Sequence, residues 1–193
     1  LLDTFFPTVD PKDPLRLTRE EEELMNALEA SFRHSEILHR HIRFLYTNGS
    51  MYKCANSNLL FHGCIPMTKD GEFDTRGKKE AVDFMWYLWC GEKSPVFGKS
   101  KLSAFEHYFI ADKEMLRERM NPYYKLSEKE EICDKIFAEF GLDPDHSHII
   151  NGHVPVKIKD GEKPVKANGK LYVIDGGISK AYQSKTGIAG YTL

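Results

Sequence analysis

Leu59-Leu60-Phe61-His62-Gly63-Cys64 and His148-Ile149-Ile150-Asn151-Gly152-His153 share one pattern: a short apolar run that ends with a glycine and a histidine side by side. The first run is apolar without alternation, as a sheet strand covered on both faces must be. A histidine at a strand end can face a cleft, and glycine, lacking Cβ, lets main chain, metal or phosphate approach closely. A single strand-end histidine is more often a hydrogen-bonded structural residue. Two in matching contexts make His62 and His153 candidates for a shared metal site, neutral imidazole being the commonest metal ligand.

Outward from these runs, Ser50 to Cys54 and Leu59 to His62 read as a hairpin joined through Asn56-Ser57-Asn58, within a strand region over 46–67. Pro7, Pro11 and Pro14 make 1–17 an extended lead-in. A helical stretch is predicted over 18–45, opened by a capping box of Thr18 and Glu21 and ended by Asn48-Gly49. Acidic residues at 20–23 suit its positive end, and Leu24, Leu28 and Phe32 fall near helical spacing.

The region 78–141 reads as helical: Lys78 to Cys90, Ser100 to Met120, then a helix opened by a Ser127 and Glu130 box. That last helix carries Ile132, Cys133, Ile136, Phe137 and Phe140, with Gly141 at its C-terminal cap. The remainder, 147–193, reads as strands: Ser147 to Asn151, Val154 to Lys159 and Leu171 to Ile174. Turns fall at Asp160-Gly161, Asn168-Gly169 and Asp175-Gly176-Gly177. There is no internal repeat.

A chain of 193 residues, 41% apolar, can bury a core of ordinary size, so 1–193 is expected to form a single domain. Its 27 Lys and Arg against 29 Asp and Glu leave a net charge of −2, which speaks against nucleic acid or an anionic membrane surface as partner. No apolar run approaches the roughly 18 residues needed to span a bilayer, and no secretory leader is visible. The four cysteines lack CxxC spacing and read as reduced, inert thiols of a cytoplasmic protein. The chain opens on Leu1 without an initiator Met and reads as a piece of something longer.

Six separated blocks resemble, in order, the large bacterial fructose-1,6-bisphosphatases of the calcineurin-like metallophosphoesterase superfamily. They are Thr8-Val9-Asp10-Pro11-Lys12-Asp13-Pro14, Ser31-Phe32-Arg33-His34-Ser35-Glu36, Leu60-Phe61-His62-Gly63-Cys64-Ile65-Pro66-Met67, Met85-Trp86-Tyr87-Leu88-Trp89-Cys90-Gly91, Asn151-Gly152-His153-Val154-Pro155-Val156-Lys157 and Asp175-Gly176-Gly177-Ile178-Ser179-Lys180-Ala181-Tyr182-Gln183. The resemblance implies an α/β fold, part of a sandwich of mixed β-sheets flanked by helices, with additional helices. It implies hydrolysis of fructose 1,6-bisphosphate to fructose 6-phosphate and phosphate, in gluconeogenesis, by a hydroxide activated between two divalent metals, manganese by family expectation.

His62 and His153 match the two histidines of one metal site of that superfamily. Where many members have a further histidine this chain has Pro155, which cannot supply that ligand, and the pattern resembles that of the protein serine/threonine phosphatases. The superfamily's Asp-x-His, Gly-Asp-x-x-Asp-Arg-Gly and Gly-Asn-His-Asp motifs are missing, and Asp74-Thr75-Arg76-Gly77 is only an echo of the second. The catalytic residues and other ligands are therefore expected upstream, the chain reads as a C-terminal part inactive alone, and the family has a longer stretch after Gly71-Glu72-Phe73.

A bisphosphate needs fixed cations, and Lys157, after the His153 motif, and Lys180, after Asp175-Gly176-Gly177, are the candidates. His34, His39 and His41 do not share one helical face. Asp112, Glu114 and Glu118 read as a solvated helical face, and Trp86 and Trp89 as core or subunit contacts. Two other classes compete: another metallophosphoesterase acting on proteins or nucleotides, and a non-catalytic interaction module. A homo-oligomer is left open.

Overall fold

A computed structural model of the chain describes residues 1–74 and 91–191, so the expected helix from Lys78 to Cys90, with Trp86 and Trp89, lies outside the described residues. The chain divides into two compact units, Leu1–Ser50 with Phe105–Leu116, and Met51–Ala104 with Arg117–Leu193.

The first unit is helical. After a lead-in of turns, α1 (Arg19–Arg33) starts at the expected capping box: the Glu21 amide donates to Thr18 Oγ1 at 3.3 Å, and the Thr18 amide to Glu21 Oε2 at 2.8 Å. The helical stretch is not continuous through 45. His34 ends α1, Ser35 takes an extended conformation, and its Oγ accepts from the Leu38 amide at 3.3 Å to open α2 (Glu36–Asn48). A serine hydroxyl that satisfies a helix-start amide offers the chain this restart, which periodicity alone does not reveal. Neither helix has a buried residue.

The second unit is built on a mixed sheet in the order β1-β2-β3-β5-β4. The strands are β1 (Tyr52–Ala55), β2 (Asn58–Phe61), β3 (His148–Asn151), β4 (Val165–Lys166) and β5 (Leu171–Val173). β1 and β2 form the expected hairpin, but over a tighter turn: Asn56 and Ser57, with φ of 51° and 59°, make a two-residue connection and Asn58 is already in β2. β2, β3 and β5 run parallel, which places the ends of both histidine-bearing runs at one edge.

The core lies where Leu59, Ile149 and Leu171 of the parallel strands meet helix α5 (Glu130–Glu139), which contributes Ile132, Cys133, Ile136 and Phe137. Gly141, at φ 66°, closes α5, its amide donating to Ala138 and that of Leu142 to Phe137 at 2.8 Å. Its start differs from the expectation. Ser127 is buried and ends the short helix α4 (Tyr123–Leu126), its carbonyl accepting the Cys133 thiol, and α5 begins after Lys129 with no side-chain cap.

Three further expectations are corrected. Ser100 to Met120 holds only the short helix α3 (Glu106–Phe109). Residues 98–100 instead pair with 119–121 through the Lys99–Met120 bridge, and Asp112 accepts the Glu114 amide locally, a competitor of helix. Val154 to Lys159 is no strand, since Pro155 has no amide to pair and Ile158–Asp160 winds into a 3-10 turn closed by Gly161 at φ 79°. The last region is not all strand either: it ends in helix α6 (Lys180–Thr186).

Candidate functional site

The parallel register aligns Asn58 with His148 and Leu60 with Ile150, and the Gly152 amide continues it by donating to the His62 carbonyl at 2.9 Å. His62 and His153, 91 residues apart in sequence, are thereby set side by side at the carboxyl ends of adjacent parallel strands, the edge where α/β sheets gather ligands. His62 Nε2 lies 3.0 Å from His153 Nδ1, with the ring planes 66° apart.

Local sequence explains how the rings come so close. A Cβ on Gly63 would stand 2.7 Å from the Pro95 carbonyl, so only glycine lets the 95–97 segment pass over the strand end. That segment brings Phe97 edge-on to His153, centroids 5.9 Å apart. Beneath, the buried Asn151 amide donates to Gly63 O at 3.1 Å and to Tyr123 Oη at 2.8 Å, tying both strand ends together.

His153 carries two costs that packing alone does not account for. Its φ of 69° lies in the left-handed region that a histidine enters only under constraint, and its Nε2 is buried without a hydrogen-bond partner. Burial first, then the facing His62 and the Lys99 ammonium, hold its imidazole below the ordinary histidine range. Asp175 and the main chain of Phe97, which lies near without meeting hydrogen-bond geometry, act in the opposite direction.

Both rings line a cleft of about 640 Å³, together with Phe97, Lys99, Glu118 and Asp175. The structure brings neither lysine candidate to it. Lys157 is exposed and lines a separate pocket with Glu162 and Lys166, and Lys180 is exposed at the start of α6. Glu118, expected on a solvated helix, faces the cleft instead. Sequence reasoning missed Lys99 and Phe97, which lie in no apolar run. Asp175 was legible only as part of a turn; its Oδ1 accepts the Gly177 amide at 2.9 Å.

Two imidazole nitrogens at this separation fit adjacent positions around one cation, since metal–nitrogen bonds of about 2.1 Å at right angles span about 3 Å. Among the described residues no group of three or more His, Cys, Asp or Glu side chains completes such a site. The pair fits part of a metal centre.

An α/β protein with paired histidines at parallel strand ends is thus the class that fold and site define. The profile of the Firmicute fructose-1,6-bisphosphatase family matches residues 1–77 and 74–193, and the chain belongs to that family. It is 55% identical to the class 3 fructose-1,6-bisphosphatase of Finegoldia magna over 224 residues, and 52% and 53% identical to those of Clostridium novyi and Fusobacterium nucleatum. Each alignment takes in all of this chain but only 34 to 35% of the relative, so the chain spans about a third of their length. The aligned 224 residues exceed the chain's 193, and the profile matches in two pieces that meet at 74–77, in keeping with a longer stretch in the family there. No solved structure matches. Among the described residues no helix is long and apolar enough to cross a membrane.

Proposed function

We propose that this chain supplies His62 and His153 as two ligands of a divalent metal in a fructose-1,6-bisphosphatase, as the C-terminal part of a calcineurin-like fold. The whole protein then hydrolyses fructose 1,6-bisphosphate to fructose 6-phosphate and phosphate in the cytoplasm, with a sugar bisphosphate rather than nucleic acid or membrane as partner. The observation that carries this reading is the 3.0 Å approach of the two ring nitrogens at the strand ends.

A bound divalent ion, manganese by family expectation, supplies positive charge to the phosphoryl oxygens and acidity to water. The chain's own part is to hold and orient. Asn151 locks the strand ends that carry the rings, Phe97 walls one side of His153 against solvent, and Pro155 offers no further imidazole. The second metal, the remaining ligands and the acid for the leaving oxygen are assigned to the rest of the protein, and this chain alone is inactive. The family match favours the sugar bisphosphatase over a protein or nucleotide phosphatase, and metal binding separates either from a non-catalytic module.

Manganese titrated into the 193-residue chain is expected to broaden the ring resonances of His62 and His153 before those of His34, His39 and His41. His153→Gly should abolish this while leaving thermal stability within about 1 kcal/mol, because removing the ring also releases the left-handed strain. Broadening spread evenly over all the histidines, or surviving in His153→Gly, would sink the assignment.

A further inference from the structure

We infer that Lys99 is the cation that receives an anionic phosphoryl group in the histidine cleft, with Glu118 as its counter-ion when no ligand is bound. This rests on the reading of the cleft as a phosphate-ester site and names the residue that would hold the ester. Among the described residues that line the cleft, Lys99 is the only Lys or Arg.

Its position is built rather than incidental. The main chain of Lys99 is fixed by its bridge to Met120, flanked by the Ser100 amide donating to Arg119 O and the Asn121 amide to Gly98 O, each at 2.8 Å. The side chain is three-quarters covered, and Nζ lies 3.1 Å from Glu118 Oε2. Glu118 is itself held, its Oε1 accepting the Ser103 amide at 3.0 Å. An ammonium carries three donors and Glu118 Oε2 takes one, so an anion can be received without moving the lysine.

Phe97 links this cation to the histidines. Its ring centroid is 5.9 Å from Lys99 Nζ and 5.9 Å from the His153 ring, so the ammonium and the imidazole share one aromatic wall. The cleft's other carboxylate, Asp175, is engaged by the Gly177 amide. A phosphate ester bound in the cleft beside the histidine pair would extend along the Phe97 wall toward Lys99. Lys157 and Lys180 both lie outside the cleft lining.

The rival account is that Lys99 and Glu118 merely pin the crossing of 98–100 with 119–121. The two differ in sign, because removal of Glu118 frees the ammonium for an anion, whereas a structural pair is damaged equally from either side. The test titrates fructose 1,6-bisphosphate, and separately inorganic phosphate, into the manganese-loaded chain and into Lys99→Gln, Lys99→Arg and Glu118→Gln, with manganese binding measured alone.

Lys99→Gln is expected to weaken bisphosphate binding roughly tenfold, the scale of one charged hydrogen bond. Glu118→Gln should strengthen binding, and Lys99→Arg should restore most of it, with manganese affinity unchanged throughout. Unchanged affinity in Lys99→Gln, or losses of the same sign in Lys99→Gln and Glu118→Gln, overturns the inference even if manganese still binds the histidines. If the parent chain binds no manganese, the opposite-sign response to phosphate without metal decides Lys99 by itself.

Discussion

Helices α1 and α2 have nearly every local device that favours a helix, and none of their residues is buried, whereas α5 lacks a side-chain cap and buries four. The capping box of Thr18, the Ser35 cap, and the i,i+4 pairs of Arg19 with Glu23 and Arg33 with Glu29 all belong to the first region. In α5 the stabilising term is contact: Ile136 and Phe137 are wholly removed from solvent against Leu59 and Ile149. The difference teaches that local sequence suffices to mark helix ends, while helices this short persist in proteins chiefly through an apolar face that packs.

The largest way to break the comparison is a truncation on each side. Phe137→Ala should cost about 3 to 5 kcal/mol in urea unfolding, through lost transfer energy and the cavity left behind. Leu28→Ala, at a side chain on a residue 47% exposed, should stay within about 0.5 kcal/mol. Equal losses would mean that the exposed face of α1 is covered in solution.

A second measurement sharpens the contrast through the thiols of the second unit. Burial pushes the Cys64 and Cys133 thiols up to about 12, while Cys54 is exposed. Cys54 should therefore be alkylated in the native chain, and Cys64 and Cys133 only on unfolding. The folded state also holds those two protons to higher pH than the unfolded chain, whose thiols ionise near about 8.5. Their stabilising contribution is thus full below that pH and declines as pH rises toward about 12. Cys64→Ala with Cys133→Ala should flatten the decline, and an unaltered slope would remove the cysteines as its source.

The smallest effect concerns the cap. Thr18→Ala should raise amide exchange in the first turn of α1 by the equivalent of about 1 kcal/mol, leaving exchange at Ile136 and Ile149 unchanged. A shift at those core amides would show that α1 is coupled to the sheet.

Much of this was legible along the chain. Thr18 and Glu21 stand three residues apart and bond each other, and Gly141 follows the apolar face of α5 and takes the left-handed cap. Ser127 and Glu130 show the same spacing as Thr18 and Glu21 and form no box, because Ser127 is buried with helical backbone angles at the end of α4, and α5 starts only after Lys129. Ser100 to Met120 shows why mixed aromatics and charges mislead: Glu118 is held by Lys99 and the Ser103 amide, partners that helical periodicity cannot reveal.

The sequence by itself determined the strand-ending histidines, the hairpin, the helix termini that depend on neighbours three or four residues away, and the family. Tertiary structure alone decided that His62 and His153 meet at 3.0 Å, that His153 is strained and half-buried, and that Lys99 lines their cleft while Lys157 and Lys180 do not. Capping and turn chemistry act through a few covalent links and can be read locally. A site at the edge of parallel strands joins residues some ninety positions apart, and its geometry exists only once the intervening chain has packed.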